Sequence, residues 1–423
     1  MKFLTAPEGG APEPVVTEKS LLQSIDALKK GSGPFAIDAE RASGFRYSAR
    51  AYLIQIYRNG GGLHLIDPIP FAGSSLIAQL NSLIRSDEVI IHASSQDLPC
   101  LREFGLDPSR LFDTELGARI AGFPKVGLAT LCEELLEINL AKEHSAADWS
   151  TRPLPQEWLD YAALDVLVLI DLREKIAASL EGNGKLNYAN EEFSAALKVP
   201  LLRERKDPWR KTSGIHLLKS RRDLAMVRQL WIKRDEIASA IDLAPGRLLS
   251  DSIIIEVATK KPVTKNEFLD LPSVKMRIKR DPLRERIDLW WSEIEKSYEI
   301  PEKDWPEARA RGEGLPAPRI WRDKFPLAHA RLTHARAILA EISQSLNIPV
   351  ENLLTPDYLR RLIFDDGRER AITLDAKLIA SVKARLIEFG ARNWQIELLH
   401  EKLALCLTQV EPLIAAPVSP AAE

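Results

Sequence analysis

Segments with strand character are confined to residues 35–113 of this chain of 423 residues. They are short runs rich in β-branched and aromatic residues, at residues 35–38, 51–57, 63–67, 89–92 and 111–113. Only turns separate the first three runs, which predicts an antiparallel meander, whereas helical segments separate the last two, as in βαβ units. The sequence therefore predicts one α/β domain, with a mixed sheet flanked by helices, and helices alone in the rest of the chain.

The chain is too long for one hydrophobic core, since single cores stop growing near about 250 to 300 residues. Two helical blocks follow the α/β domain, and a segment rich in proline and charge separates them. Each block reads as a helix, a proline-containing loop, a short helix and further helices, which suggests an internal duplication. The predicted boundaries are a mobile arm at 1–16, the α/β domain at 17–198, helical domains at 213–296 and 325–412, a linker at 297–324 and a tail at 413–423.

The composition is that of a globular protein, with 45% hydrophobic and 28% charged residues. The longest uninterrupted apolar stretch, residues 166–170, is far shorter than the roughly 20 residues that a membrane helix needs. The N-terminus has no apolar segment typical of a secretory signal, so we expect a cytoplasmic protein that does not contact a membrane. Three scattered cysteines, Cys100, Cys132 and Cys406, predict core residues and neither disulfides nor a zinc site.

Charge is distributed unevenly along the chain. Residues 1–200 carry 19 basic and 27 acidic side chains, whereas residues 201–295 carry 21 basic and 15 acidic ones. An acidic domain can hold metal ions, and a basic domain can contact the phosphates of a nucleic acid. A solvated mixed surface is the commoner meaning of such counts, so the asymmetry only guides the search for motifs.

Two carboxylates, Asp38 and Glu40, end the first predicted strand at i, i+2 and therefore point to the same face of the sheet. Carboxylates held this close raise each other's pKa unless a cation neutralises them. An ordinary solvated strand end is the alternative interpretation. The apolar strand that precedes the pair favours a hard cation bound by oxygen, such as Mg²⁺ or Mn²⁺.

Two further acids occupy similar places. Asp97 follows the strand at residues 89–92 and opens a helix, where it is also a candidate N-cap. Tyr161 and Asp165 lie one helical turn apart with alanines between them, and these small residues allow their helix to lie close to the sheet; the alternative is an exposed pair on an amphipathic helix. Four converging carboxylates suit two divalent cations about 4 Å apart, which drive phosphodiester hydrolysis, and Tyr161 would orient or deprotonate the attacking water.

These segments resemble the exonuclease motifs of the DEDD superfamily in its tyrosine subtype. The three motifs read Ile-Asp-Ala-Glu at 37–40, His-Ala-Ser-Ser-Gln-Asp at 92–97 and Tyr-Ala-Ala-Leu-Asp at 161–165. The connecting segments at 127–136, 142–143, 148–154 and 158–166 are similar to those of the ribonuclease D family. The helical blocks look like the HRDC domains (helicase and RNase D C-terminal) of that family, chiefly through Arg222-Asp223 and the order of helices.

The resemblance implies an RNase H-like exonuclease domain in which Asp38, Glu40, Asp97 and Asp165 bind two divalent cations and Tyr161 positions water. The implied reaction removes nucleotides from the 3′ end as 5′-monophosphates, on structured RNA with short 3′ tails, including tRNA precursors. His144 departs from the residue expected after Lys142-Glu143, which puts substrate detail in doubt more than activity.

Seven further side chains are candidate substrate contacts. In the α/β domain they are Gln55 on the second strand, His92 at a strand end and Arg152; in the basic block they are Arg221, Arg222, Lys275 and Arg277. The alternative interpretations are that Gln55 faces solvent and that His92 is a core residue. No aromatic residues interleave with these basic runs, which argues against base stacking. Asp113 is expected to cap a helix more than to serve as a fifth ligand.

Two alternatives to an exoribonuclease stay open at this point. A DNA exonuclease is one, because HRDC domains also accompany helicases and the metal site does not read the 2′-hydroxyl. A nucleic-acid-binding scaffold with a silent nuclease fold is the other, although the complete set of acids argues against it. We infer no obligate protein partner.

Overall fold

The computed structural model describes residues 2–141, 146–198, 206–279, 281–308, 315–365 and 373–408. The predicted tail at 413–423 and His144 lie outside these ranges. None of the helices within them combines the length and the apolar character that crossing a lipid bilayer requires.

A mixed sheet forms the centre of the first domain. In chain order its strands are β2 (Phe35–Arg41), β3 (Ala51–Arg58), β4 (Gly62–Ile66), β5 (Val89–Ile91) and β6 (Leu111–Asp113), and in space they run β4-β3-β2-β5-β6. The pairs of β2 with β3 and of β3 with β4 are antiparallel, whereas β5 pairs in parallel with both β2 and β6. The predicted meander and βαβ units are therefore confirmed, and the carboxyl ends of β2 and β5 lie at the same edge of the sheet.

The predicted mobile arm at 1–16 is wrong for its described part. Residues Lys2–Leu4 form β1, which pairs in parallel with β7 (Ile138–Leu140), and Val15 bridges Ile66. The Ala11 amide donates to the Asp160 carboxylate over 2.7 Å. Strand pairing between residues so far apart leaves no local periodicity, so the glycines and prolines of this segment predicted only irregular backbone.

Helices cover both faces of the sheet. They are α1 (Glu18–Lys30), α2 (Ser75–Ile84), α3 (Leu98–Phe104), α4 (Thr114–Ala121), α5 (Leu128–Leu136), α6 (Gln156–Leu167), α7 (Leu169–Gly182) and α8 (Leu186–Ala196). Thr17 caps α1, because its hydroxyl accepts from the Ser20 amide. Cys100, Cys132 and Cys406 are buried and unpaired, which confirms their predicted role as core residues.

The first helical unit has a hydrophobic core of its own, built around Leu230, Ile254, Phe268 and Trp290. Its helices are α9 (Arg221–Ala240), α10 (Pro245–Leu248), α11 (Asp251–Lys260), α12 (Lys265–Asp270), α13 (Pro272–Arg277), α14 (Asp281–Arg284) and α15 (Ile287–Tyr298). The unit contacts the loop between β2 and β3, where Asp242 accepts hydrogen bonds from the Ser48 amide and the Tyr52 hydroxyl. The Ala244 amide donates to the Phe45 carbonyl beside these bonds.

The second helical unit shares one continuous core with the first domain. It contains α16 (Trp321–Lys324), α17 (Pro326–Leu346), α18 (Val350–Leu353), α19 (Pro356–Asp365), α20 (Ala376–Phe389) and α21 (Asn393–Leu407). Trp394 stacks on Tyr188 of α8, with ring centroids 4.6 Å apart, and its indole donates to the buried Glu192. The predicted linker at 297–324 is too long at both ends, because α15 runs to Tyr298 and Trp321 is fully buried in this core.

Gly122 lies at a close contact between the first domain and the second helical unit. Its φ is +100°, and an added Cβ would lie 2.4 Å from the side-chain nitrogen of Asn347 and 2.6 Å from the backbone oxygen of Asn347. Glycine is therefore required here by both the backbone conformation and the space.

We expect Gly122→Ala to lower the free energy of unfolding by about 1 to 3 kcal/mol, since the alanine must strain the backbone and displace Asn347. Denaturant unfolding measures this change. Gly182→Ala is the matched control, because it lies in α7 with nothing within 4 Å of the added Cβ, and it should be neutral or slightly stabilising. Equal free energies of unfolding for the two variants would contradict the close contact between Gly122 and Asn347.

Candidate metal-binding active site

Asp38 and Glu40 lie on β2 near its carboxyl end, opposite Gln55 and Leu53 of β3. The regular part of this pairing ends at Glu40, because a bulge interrupts the register before Arg41. The i, i+2 spacing on a regular strand turns both carboxylates to the same face, as predicted. Burial of the surrounding apolar strand fixes their backbone.

Asp97 reaches the same edge from the loop after β5. It occupies the N-cap position of α3, but its side chain makes no capping hydrogen bond. Asp113 stabilises the loop instead, since its carboxylate accepts from the Ser94 amide over 2.8 Å and from the Ser94 hydroxyl over 2.6 Å. Asp113 also accepts from the Leu116 amide, so its predicted role as a helix cap is confirmed. Asp97 is thereby left to face the carboxylate of Asp38.

Helix α6 brings Tyr161 and Asp165 to the acids of β2. Ala162 and Ala163 are fully buried, and their small side chains let α6 pack directly on β2 and β3. The Tyr161 hydroxyl donates a hydrogen bond to the Asp165 carboxylate. The predicted close approach of this helix to the sheet is therefore what the structure shows.

The five side chains meet in one open cavity of about 400 Å³. Ligand atoms of Asp38, Glu40 and Asp165 all lie within 4.8 Å of one another, and Asp97 stands beside Asp38. Leu128, Ala129, Leu140 and Ala141 give the cavity an apolar wall. Acidic and apolar side chains therefore line the same cavity.

Every acid of this cluster has a raised pKa. Burial is the largest cause for Asp38, Glu40, Asp97 and Asp165, and the neighbouring carboxylates add to it for the last three. Burial, followed by the charge of Asp165, also raises the pKa of Tyr161. The four acids offer only oxygen donors, and clustered carboxylates that ionise with difficulty alone are stabilised by a hard divalent cation, so this donor set fits Mg²⁺ or Mn²⁺.

His92 lies on the wall of this cavity. One ring nitrogen lies 2.9 Å from the Thr114 hydroxyl, and burial lowers the pKa of the imidazole. Its role as a substrate contact stays a prediction.

Gln55 and Arg152, two predicted substrate contacts, both have partners or surroundings from distant parts of the chain. Gln55 is 0% exposed, and neither amide atom has a hydrogen-bond partner among the described residues, so the alternative of a solvent-facing glutamine does not hold. Arg152 donates to both carboxylate oxygens of Asp67, over 2.6 and 2.9 Å, and to the carbonyl of Tyr52. The contacts of both residues with substrate stay predictions.

The basic residues of the first helical unit divide into two groups. The Arg221 guanidinium donates to the carbonyls of Trp305 and Pro306 and so holds the segment that follows α15. Lys275 is exposed and Arg277 is half-buried, and each has one local partner, Asp270 and the carbonyl of Gly246 respectively. The contact of all three residues with substrate stays a prediction.

Arg222 lies in a pocket that sequence reasoning missed. The pocket, of about 440 Å³, is lined by Arg222, Lys261, Val263, Trp291, Glu295 and Tyr298. The Arg222 guanidinium lies 5.6 Å from the centre of the Tyr298 ring. No aromatic residues interleave with the basic runs in the sequence, but folding brings Trp291 and Tyr298 of α15 beside Arg222 at the N-terminus of α9. The argument against base stacking therefore loses its basis, and base stacking itself stays untested.

Arg41 is a further residue that sequence reasoning missed. It lines the active-site cavity, and its positive charge lowers the pKa of Asp38, Glu40 and Asp97. Its place directly after Asp-Ala-Glu was the signal in the sequence. The direction of its side chain depends on the bulge, which the sequence does not reveal.

Three family models match the chain. Residues 12–181 match a 3′-5′ exonuclease domain, residues 223–285 match the HRDC domain, and residues 314–407 match a 3′ to 5′ exonuclease C-terminal domain. The match of the second helical unit is thus to a different model from that of the first. Its helices nevertheless repeat the lengths of the first unit, with 21, 4 and 10 residues in α17 to α19 and 20, 4 and 10 in α9 to α11.

Known proteins resemble the chain over most of its length. Ribonuclease D of Shewanella sp. (strain ANA-3) is 31% identical over 63% of this chain and 68% of the relative, and ribonuclease D of Acidiphilium cryptum is 31% identical over 60% and 66%. About a third of each relative therefore lies outside the alignment. A crystal structure of a protein from Bifidobacterium adolescentis is 37% identical, with a TM-score of 0.85, over 96% of this chain and all of that one.

The sheet, the cluster of acids and the family matches define a 3′→5′ exonuclease that carries an HRDC domain and a further helical unit. The predicted fold class is confirmed. This chain belongs to the ribonuclease D family and is in that sense an exoribonuclease.

The affinity for divalent cations should depend strongly on pH. Because the pKa values of Glu40, Asp97 and Asp165 are raised, protons compete with the cation at a higher pH than they would at exposed carboxylates. Lowering the pH from about 8 to about 6 should therefore weaken Mn²⁺ binding, and binding should release protons. Calorimetric titration in buffers of different ionisation enthalpy measures both effects, and binding without proton release would contradict the expectation.

Proposed function

We propose that this chain is a two-metal-dependent 3′→5′ exoribonuclease. It would trim the 3′ ends of structured RNA, such as tRNA precursors, and release nucleoside 5′-monophosphates. The observation that carries the proposal is the convergence of Asp38, Glu40, Asp97, Tyr161 and Asp165 in one cavity. Membership of the ribonuclease D family supports it.

The four carboxylates would bind the two cations in two groups. Asp38, Glu40 and Asp165 would hold one ion, since their oxygens already lie within 4.8 Å of one another, and Asp97 with Asp38 would hold the other. Such a pair of ions supplies an activated water and charge stabilisation for the leaving oxygen. Water adds to the phosphorus, the bond to the 3′-oxygen of the preceding nucleotide breaks, and that oxygen takes up a proton.

Tyr161 would position the attacking water. Burial and the neighbouring acids raise the pKa of its phenol, which favours the protonated hydroxyl in the site without cations. The hydroxyl already donates to Asp165, which fixes its position beside the ligands. Its oxygen lone pairs can then accept a hydrogen bond from the attacking water.

The apolar wall accommodates the terminal nucleoside. Leu128 and Ala129 at the start of α5, with Leu140 and Ala141 at and just beyond the end of β7, line the same cavity as the acids. Apolar side chains contact a sugar and a base without reading the base, as trimming of varied 3′ ends requires. This wall does not itself separate RNA from DNA.

The HRDC unit supplies the contacts that bind RNA, which the acidic first domain lacks. Arg222 and Lys261 offer positive charge, while Trp291 and Tyr298 offer ring faces on the same pocket. Such a combination binds single-stranded nucleic acid by phosphate contacts and base stacking. On the other side of the unit, Arg247 donates to the carbonyl of Gly44 in the loop next to the active site.

We expect Asp38→Asn to abolish turnover, because it removes the carboxylate shared by both proposed cation sites, and to leave RNA binding largely intact. The assay is digestion of a 5′-labelled RNA hairpin with a single-stranded 3′ tail, and of its DNA counterpart, with Mg²⁺, Mn²⁺ or EDTA. Asp288→Asn is the control, since Asp288 is exposed on α15.

Each outcome of this digestion favours one function. A metal-dependent ladder on RNA alone supports the exoribonuclease, and shortening of both substrates favours a general exonuclease. Unchanged turnover by Asp38→Asn would refute the metal site. No shortening under any metal would favour a silent scaffold.

The pocket of the HRDC unit yields a separate prediction. Val263 is 72% exposed at its edge, so Val263→Glu should not disturb the fold but should repel phosphate and weaken binding of the hairpin about three- to tenfold. Ile232→Glu is the matched control, with the same change of charge at a residue of α9 that is 50% exposed and does not line the pocket. Fluorescence anisotropy measures binding, and equal affinities of the two variants would show that RNA does not use the pocket.

A further inference from the structure

Arg41 owes its direction to an irregularity in the sheet. Glu40 pairs with Leu53 and Arg41 pairs with Ala51, so Tyr52 is the extra residue of a bulge. A bulge changes the direction of the side chains beside it and is common next to active sites. Here it turns Arg41 towards the start of α3, where the guanidinium lies 3.3 Å from the Gln96 side-chain oxygen and 3.7 Å from the Asp97 carboxylate.

Two cavities meet at Arg41. One is the active-site cavity, and the other, of about 210 Å³, lies between Arg41, the loop at Ser43, Gly44 and Phe45, and Ala146 and Ala147. Both share the walls formed by Ala39, Glu40 and Arg41. The smaller cavity therefore continues the larger one towards the loop that the HRDC unit contacts.

Arg41 is suited to bind an anion at this junction. Its side chain is 27% exposed, and both of its contacts with described residues are made by the same nitrogen, Nη2. A guanidinium has five N–H donors in a fork that matches phosphate oxygens. Among the described residues that line either cavity, it is the one side chain with a permanent positive charge.

The chemistry of an RNA strand specifies which phosphate needs this charge. The cations between the four carboxylates would neutralise the scissile phosphate, and the next phosphate towards the 5′ end would lie outside their reach but still near the acids. That part of the strand must leave the active-site cavity towards the rest of the RNA. The smaller cavity leads that way, because Arg247 of the basic HRDC unit lies 4.0 Å above the Phe45 ring at its far side.

We propose that Arg41 binds the phosphodiester immediately 5′ of the scissile linkage and that the smaller cavity holds the penultimate nucleotide. The inference rests on the proposed exoribonuclease activity and adds a second nucleotide subsite to it. Arg41 is in this view a specificity-determining residue, which favours substrates with at least two phosphodiester linkages over shorter ones.

Three substrates test the subsite. A tetraribonucleotide offers both linkages, and the same tetranucleotide with a neutral methylphosphonate at the second linkage from the 3′ end lacks the charge that Arg41 would bind. The p-nitrophenyl ester of a nucleoside 5′-monophosphate has a scissile linkage but no neighbouring one. Arg41→Gln should lower kcat/KM about tenfold or more on the first substrate and change it less than about twofold on the other two.

Two further variants and one binding measurement sharpen the test. Arg41→Lys should restore part of the loss on the charged tetranucleotide, since it keeps the charge without the fork. Arg110→Gln removes an arginine that is 60% exposed and lines neither cavity, and it should match the wild type on all three substrates. At a pH of about 8, where protons compete least with the cation, the affinity for Mn²⁺ measured by calorimetry should not be weaker for Arg41→Gln than for the wild type, because the variant removes a positive charge that repels the cation.

Three results would overturn the inference. An equal loss of kcat/KM on all three substrates would place Arg41 at the scissile phosphate. A loss of Mn²⁺ affinity as large as the loss of kcat/KM would show that Arg41 supports the cation sites instead. No loss on any substrate would show that Arg41 takes no part in binding. A wild-type enzyme that hydrolyses none of them would refute the proposed activity itself, which separates that failure from the failure of the subsite.

Discussion

The burial of four carboxylates, together with the repulsion between them, is the constraint on which the rest of the first domain depends. Asp38, Glu40, Asp97 and Asp165 all have raised pKa values, so holding them together costs free energy in the absence of a cation. The scaffold resists this repulsion with rigid elements: apolar strands of the sheet and a helix that packs through small residues. The N-terminal segment adds a hydrogen bond from the Ala11 amide to Asp160 on that helix. Stability is thereby given up locally so that the cation sites are formed before the cations bind.

The two helical units contact this domain through equivalent turns. Asp242 and Asn347 each lie between the long helix and the four-residue helix of their unit, and each has a φ of +49°. Asp242 accepts from the amide of Ser48, and Asn347 donates to the carbonyl of Gly122. Together with the matching helix lengths, this equivalence supports the internal duplication suggested by the sequence. The cores differ nonetheless, because the second unit merges with the first domain whereas the HRDC unit keeps its own.

The sequence predicted those features that depend on local pattern. The acids of the cluster follow apolar strands or face them from a helix with alanines, and each of these patterns is visible within a few residues. The sequence did not predict the surroundings of Gln55 and Arg152, because these come from distant parts of the chain: Arg152 binds Asp67, 85 residues away. β1 depends on pairing with residues 138–140, and the aromatic wall beside Arg222 depends on the packing of α15 against α9. The direction of Arg41 depends on a bulge, for which two residues of one strand must oppose one of another.

The position of the HRDC unit connects RNA binding to the arrangement of the residues beside the active site. The unit contacts residues 44–52, which follow β2 directly and include the wall of the smaller cavity at Gly44 and Phe45. The bulge at Tyr52 lies in the same segment, and the Tyr52 hydroxyl donates to Asp242 of the HRDC unit. The contact with the HRDC unit therefore stabilises the residues that give Arg41 its direction. An RNA strand bound across the HRDC unit would reach the acids through the smaller cavity, and the same unit holds the wall of that cavity in place. RNA binding and cleavage would therefore depend on the same loop.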